Sequence, residues 1–133
     1  MEAIAASGVP LRHSLKKGVQ ISLPHCWMIY LGGNPSVLTG VTPYPNMEGS
    51  GIVWMLGSYD IETHPKLFHI LSQKVLTEMF EAYPRLTNVM DIRNSVHMLW
   101  LRRLGFQFTR LHQRWGPFGL PFIEFERTIK SNV

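Results

Sequence analysis

The chain has 133 residues, enough for one domain that buries about two thirds of the surface its unfolded form exposes. With 45% hydrophobic and 17% charged residues it is too apolar for a disordered chain, and no apolar run approaches the roughly 20 residues of a membrane-crossing helix. A net charge of +4 and a pI near 9.5 permit an acidic partner such as nucleic acid without requiring one. Seven Met and four Trp against so few charges favour self-association or a larger assembly.

Residues 1–10 have no basic start and no apolar core of signal-peptide length, and with Ser7, Gly8 and Pro10 they read as a flexible leader to a single domain over residues 11–133. Leu11, Leu15 and Val19 recur four apart and predict a short amphipathic helix over residues 11–22, with Arg12, Lys16 and Lys17 on its wet side and Pro24 ending it. Residues 26–31 are aromatic and β-branched, and Gly32, Gly33, Asn34 and Pro35 make a turn into a second strand over residues 36–42. Pro43, Pro45 and the residues up to Gly51 form a loop. The continuously apolar residues 51–58 then predict a central strand covered on both faces.

Thr63 and Pro65 announce the longest helix, whose apolar stripe runs through Leu67, Phe68, Leu71, Val75, Met79, Phe80 and Tyr83 to a stop at Pro84. A short strand over residues 86–90 precedes a helix capped by Asn94 and closed by Gly105, with Val96, Trp100 and Leu104 four apart and Leu101 widening the apolar face. Two alternating strands over residues 106–114 and 120–128 finish the chain around Trp115 to Gly119. Together these elements predict an α/β (α+β) fold: a mixed, mostly antiparallel sheet with a central βαβ crossover that makes the third and fourth strands parallel.

Asn94, an apolar helix and then Leu104, Gly105 and Phe106 at this spacing resemble the Asn-x-x-Ala-x-x-x-Tyr-x-x-x-Gly-Phe signature of the GCN5-related N-acetyltransferases, the GNAT superfamily. His97 stands at the Ala position and Leu101 at the Tyr position. The version with His97 and with Trp100 to Gly105 is most similar to GNAT-like internal virion proteins of short-tailed bacteriophages. The resemblance implies a GNAT-like sheet, here N-terminally abridged, with the Asn and the helix start beside an acyl-CoA. In the family the Tyr donates a proton to the departing thiolate, and a Gln/Arg-x-x-Gly-x-Gly/Ala turn after the central strand holds the pyrophosphate.

The chain departs from that pattern in two places. Residues 57–65 carry no Gly after Gly57, put Asp60 and Glu62 where the ligand is negative, and lose a donor at Pro65. Leu101 cannot donate a proton. His97, one turn earlier, is the candidate acid or base, set against its use as plain helix padding. The resemblance therefore implies a remnant acyl-CoA cleft at Met55, Leu56, Gly57, Ser58 and Asn94.

Two function classes follow. The first is a catalytically degenerate GNAT-like domain with no cofactor, serving as a structural or assembly protein in the phage virion interior after synthesis in the host cytoplasm. Its partners would be other virion or assembly proteins or itself. The alternative is an active N-acyltransferase using acetyl-CoA in an atypical donor site. Arg102, Arg103, Arg110, Arg114 and Trp115 form the one basic and aromatic concentration, a candidate partner surface that reads as a solvated rim before it reads as a nucleic-acid groove. The lone Cys26 reads as a small buried apolar residue in a reducing compartment, Glu124 and Glu126 as an outward strand face, and the six scattered His residues offer no metal spacing.

Overall fold

A computed structural model describes residue 20, residues 22–58 and residues 60–129, with Asp60 by its backbone alone. The leader expected over residues 1–10 lies outside the described residues, as does the helix expected over residues 11–22 apart from Gln20 and Ser22.

Gly32 and Gly33 take positive φ, 58° and 81°, the paired left-handed conformation that a tight hairpin turn needs. They join β1 (Cys26–Leu31) to β2 (Asn34–Pro43), and a loop leads on to β3 (Ser50–Gly57). One helical turn that the sequence pattern did not announce, α1 (Asp60–Thr63), precedes the long α2 (Pro65–Ala82), which starts on proline because the first helical N–H has no partner to lose. After β4 (Arg85–Asp91), α3 (Ser95–Arg103) and the hairpin β5 (Gln107–Trp115) and β6 (Leu120–Thr128) complete the chain.

The six strands lie in the order β1-β2-β3-β4-β6-β5. Every neighbouring pair is antiparallel except β3 and β4, the pair joined through the helical crossover. One face of the sheet is covered by α2 and α3: Val41, Leu86, Met90 and Phe125 pack with Leu76, Met79 and Phe80 of α2 and with Leu101 and Phe106. A second cluster joins Ile29, Leu31 and Val37 to Phe68, and Ile61 of α1 closes it. Successive strand residues alternate faces, so Trp54, Val89 and Phe122 look to the opposite side.

Three expectations about faces are corrected by the packing. Leu67 is 40% exposed and Val96 is 45% exposed, so neither belongs to the buried stripe of its helix. In α2 the inward face instead includes Ser72 and Leu76, both buried. β3 is third of six and central, as expected, but residues 52–56 are half-buried, and from residue 53 on the strand parts from β4.

Both ends of α3 are fixed by side chains. The Asn94 carboxamide oxygen accepts the His97 N–H at 3.0 Å, satisfying one of the free donors of the first turn. Gly105, with φ 88°, turns the chain so that the Phe106 N–H reaches the Leu101 carbonyl at 3.0 Å. From β6, Arg127 donates to the Leu104 carbonyl at 2.9 Å while its guanidinium lies 4.9 Å from the Phe80 ring centre, tying helix, strand and long helix together.

Candidate functional site

β3 and β4 pair at only three positions, Ser50 with Arg85, Gly51 with Leu86 and Ile52 with Thr87. Beyond them residues 53–57 and 88–91 diverge, although β3 stays paired to β2 as far as Gly57 and β4 to β6 as far as Asp91. The sheet is therefore split in its middle. Across the split the Asn88 carboxamide donates to the Val53 carbonyl at 2.5 Å, a side chain standing where a strand partner would be. Residues two apart along a strand offer their backbone groups to the same edge, so Val53, Met55 and Gly57 all present theirs to the gap.

A cavity of about 170 Å³ occupies the split. Val53, Met55 and Asn88 line it from the helical face and Trp54 and Val89 from the opposite face, so it passes through the sheet. Its other walls are α2, through Phe68, Ser72, Val75, Leu76 and Met79, and α3 with its C-cap, through His97, Trp100, Leu101 and Leu104, spaced to share one side of a helix. His97 is the one imidazole among the described lining residues. Leu101 is buried and can transfer no proton.

The Phe68 and Trp100 rings, 5.1 Å apart between centres, form a partition behind which lies a second pocket. That pocket shares Phe68, Trp100 and Leu104 with the cavity and adds Lys66, His69 and Arg103, with no acidic residue among its described lining. An apolar slot in the sheet thus lies next to a basic vestibule between the start of α2 and the end of α3, with Phe68 and Trp100 as the shared wall. Such an arrangement suits an elongated ligand with an uncharged arm and an anionic head.

No protein-family model matches the sequence, and no curated protein matches it. Solved structures do match. An IAA acetyltransferase from Bacillus cereus superposes with TM-score 0.69 at 10% identity, over 96% of this chain and 89% of that one. An acetyltransferase from Salmonella typhimurium that modifies the N-terminal serine of ribosomal protein L7/L12 gives 0.68 at 9%, over 90% and 73%. The microcin C7 self-immunity acetyltransferase MccE, in complex with acetyl-CoA and AMP, gives 0.68 at 9%, over 89% and 67%.

The chain has the GNAT fold. At these identities the fold is what is shared, and the three structures named are acetyltransferases, none of them a virion protein.

Within the GNAT frame the residues singled out from sequence fall in different places. Met55 and His97 line the cavity, whereas Leu56 points to the other face of β3. Gly57 has Ile61 packed directly against its α-carbon, so any side chain there would displace Ile61 from the second core cluster. The Ser58 N–H is engaged by the Ser36 carbonyl at 2.8 Å and the Ile61 N–H by the Ser58 carbonyl at 3.3 Å, so this turn does not aim those amides at a phosphate. Asn94 serves as the α3 cap.

The basic group divides its attachments. Arg102 lies over the Phe108 ring at 6.0 Å, Arg103 lines the vestibule, Arg110 and Arg114 are exposed on β5, and Trp115 packs at a tilt of 56° against His112 with centres 4.5 Å apart. Glu124 and Glu126, expected as a plain solvated face, hold His112 at 2.6 Å and Arg85 at 2.7 Å. Burial pushes the Cys26 thiol up from its ordinary range, which disfavours the thiolate. Among the described residues no cluster of His, Cys, Asp and Glu forms a metal site, and no helix is long and apolar enough to cross a membrane. Sequence reading missed Lys66, His69 and Arg103 as a set; the nearest signal was the cationic end of α3, which gave no hint of its partner helix.

Proposed function

We propose that this chain transfers a small acyl group from coenzyme A to an amine. The observation that carries the proposal is the parting of β3 and β4 around a cavity that shares its Phe68–Trp100 wall with a basic vestibule. The open edge of β3 alternates N–H and C=O groups as an unpaired strand does, and an arm containing amides can add to it as a peptide adds to a sheet edge. Lys66, His69 and Arg103 would hold the phosphates by side-chain charge, in place of the turn amides engaged near Ser58. A space of about 170 Å³ is close to the ~150 Å³ cavity known to take a benzene-sized guest, which limits the acyl group to a few carbons.

The chemistry asked of the protein is modest. An amine nitrogen bonds to the thioester carbonyl carbon, the C–S bond breaks, the sulfur leaves with the electron pair, and a proton must reach it while the amine loses one. His97, on the cavity wall, would carry that proton. The amine would enter from the opposite face, past Trp54 and Val89.

A second reading is a GNAT-like domain that has lost transfer and works as an assembly module of a phage virion; the engaged Ser58 amide and Leu101 at the acid position support the loss of transfer, the part of it that concerns this site. Acetyl-CoA separates the two. At a hundred times its dissociation constant it should raise unfolding stability by about 2.7 kcal/mol, and thiol release in the presence of an amine panel should follow. Binding without thiol release supports the module. Absence of any thermal shift, in the wild type as in a Lys66→Ala/Arg103→Ala variant, rejects the acyltransferase.

A further inference from the structure

The last turns of α2 hold two carboxylates in an unfavourable place. Glu78 and Glu81 are three residues apart and therefore neighbours on one helix face, near the C-terminal end where the helix dipole is itself negative. No basic residue lies in that last turn, and among the described residues no ion pair engages either Glu. Facing them are His25 and Trp27 from the entry to β1 and Tyr83 from the end of α2, which with Ala82 line an open pocket of about 650 Å³.

The rings form walls. His25 and Tyr83 stand 6.0 Å apart at 77°, and His25 and Trp27 6.3 Å apart at 35°. Tyr83 is held against the sheet at Gly51, where an added Cβ would sit 2.9 Å from the ring, and Gly51 lies at the closed end of the β3/β4 pair. The pocket thus shares no lining residue with the split, and its role is independent of acyl transfer.

We propose that this pocket binds an organic ammonium ion. Aromatic faces attract a cation within about 6 Å of the ring centre, and a methylated or alkyl ammonium also buries its carbon against them. Glu78, Glu81 and the carbonyl end of α2 supply negative potential from one side, and the bound charge removes the repulsion they otherwise exert on one another. A bare metal ion gains little from the rings, and among the described residues no group of three His, Cys, Asp or Glu side chains is placed to hold one.

The test uses the full chain. Tetramethylammonium chloride is titrated while the indole N–H signals are followed by NMR, with sodium chloride at equal ionic strength and tert-butanol, a neutral molecule of similar shape, as controls. The expected result is a saturable shift of the Trp27 signal, assigned by its loss in Trp27→Leu, with millimolar affinity for the ammonium and none for the controls. Glu78→Gln/Glu81→Gln alters only exposed side chains, so it should stay folded, melt above the wild type without ligand, and bind roughly tenfold more weakly. An unsaturable shift, an equal response to tert-butanol, or undiminished binding by the double variant overturns the proposal.

Discussion

The Asn88 carboxamide spans the gap between the diverging central strands and donates to the Val53 carbonyl at 2.5 Å, while its own oxygen accepts the Val89 N–H at 2.7 Å. One side chain therefore closes two backbone groups at the point where the sheet stops pairing. Replacing it by alanine leaves the partly buried Val53 carbonyl without a donor, at a cost of about 1–3 kcal/mol. Urea unfolding should show Asn88→Ala with a lower midpoint and an unchanged slope.

His97 should be separable from the fold. Its side chain lines the cavity, while the contact that fixes the helix end is its backbone N–H to Asn94. His97→Gln is expected to slow acyl transfer by about a hundredfold or more and to leave the melting temperature and acetyl-CoA affinity near those of the wild type. A variant that keeps the wild-type rate and pH profile would remove His97 from the mechanism.

Leu101 belongs to both the core and the cavity wall, 7% exposed and in the cluster with Phe106 and Phe125. Leu101→Ala should enlarge the cavity and destabilise the domain by about 2–5 kcal/mol. If longer acyl-CoA chains then bind better than acetyl-CoA, relative to the wild type, the cavity is the acyl site; unchanged chain-length preference argues that the acyl group lies elsewhere.

Among the described carboxylates, Asp91, buried at the end of β4, is held in its charged form by a neighbour. Hydrogen bonds from the Arg93 guanidinium, with one from the Arg93 backbone N–H at 2.9 Å, hold its carboxyl below the usual carboxylate range against the opposing effect of burial. Because the folded value lies below the unfolded one, its contribution is complete above the ordinary carboxylate range and is lost as pH falls through the folded value. Asp91→Asn should melt below the wild type at neutral pH, with the difference closing in acid. A gap that persists at the lowest pH would assign the loss to packing and not to charge.

Much was written locally. Asn94, Gly105, the Gly32–Gly33 turn and the alternating strands each specify their own conformation from a few neighbouring residues, so the order of elements and the parallel central pair were legible before any coordinates. Periodicity also gave α3 an apolar side, but it could not say which edge of that side is wet. Val96 faces solvent and His97 faces the cavity because the neighbouring sheet is split at that height.

The site itself was decided only by assembly. Lys66 and Arg103 are far apart in sequence and meet because α2 and α3 cover the same face of the sheet, with Phe68 and Trp100 between them. Likewise Glu78 and Glu81 look like ordinary solvated charges until the chain brings His25 and Trp27 against them. Caps, turns and strand alternation depend on contacts within a few residues, and the sequence states those directly. A cavity depends on where elements fail to meet, and that is a property of the packed molecule alone.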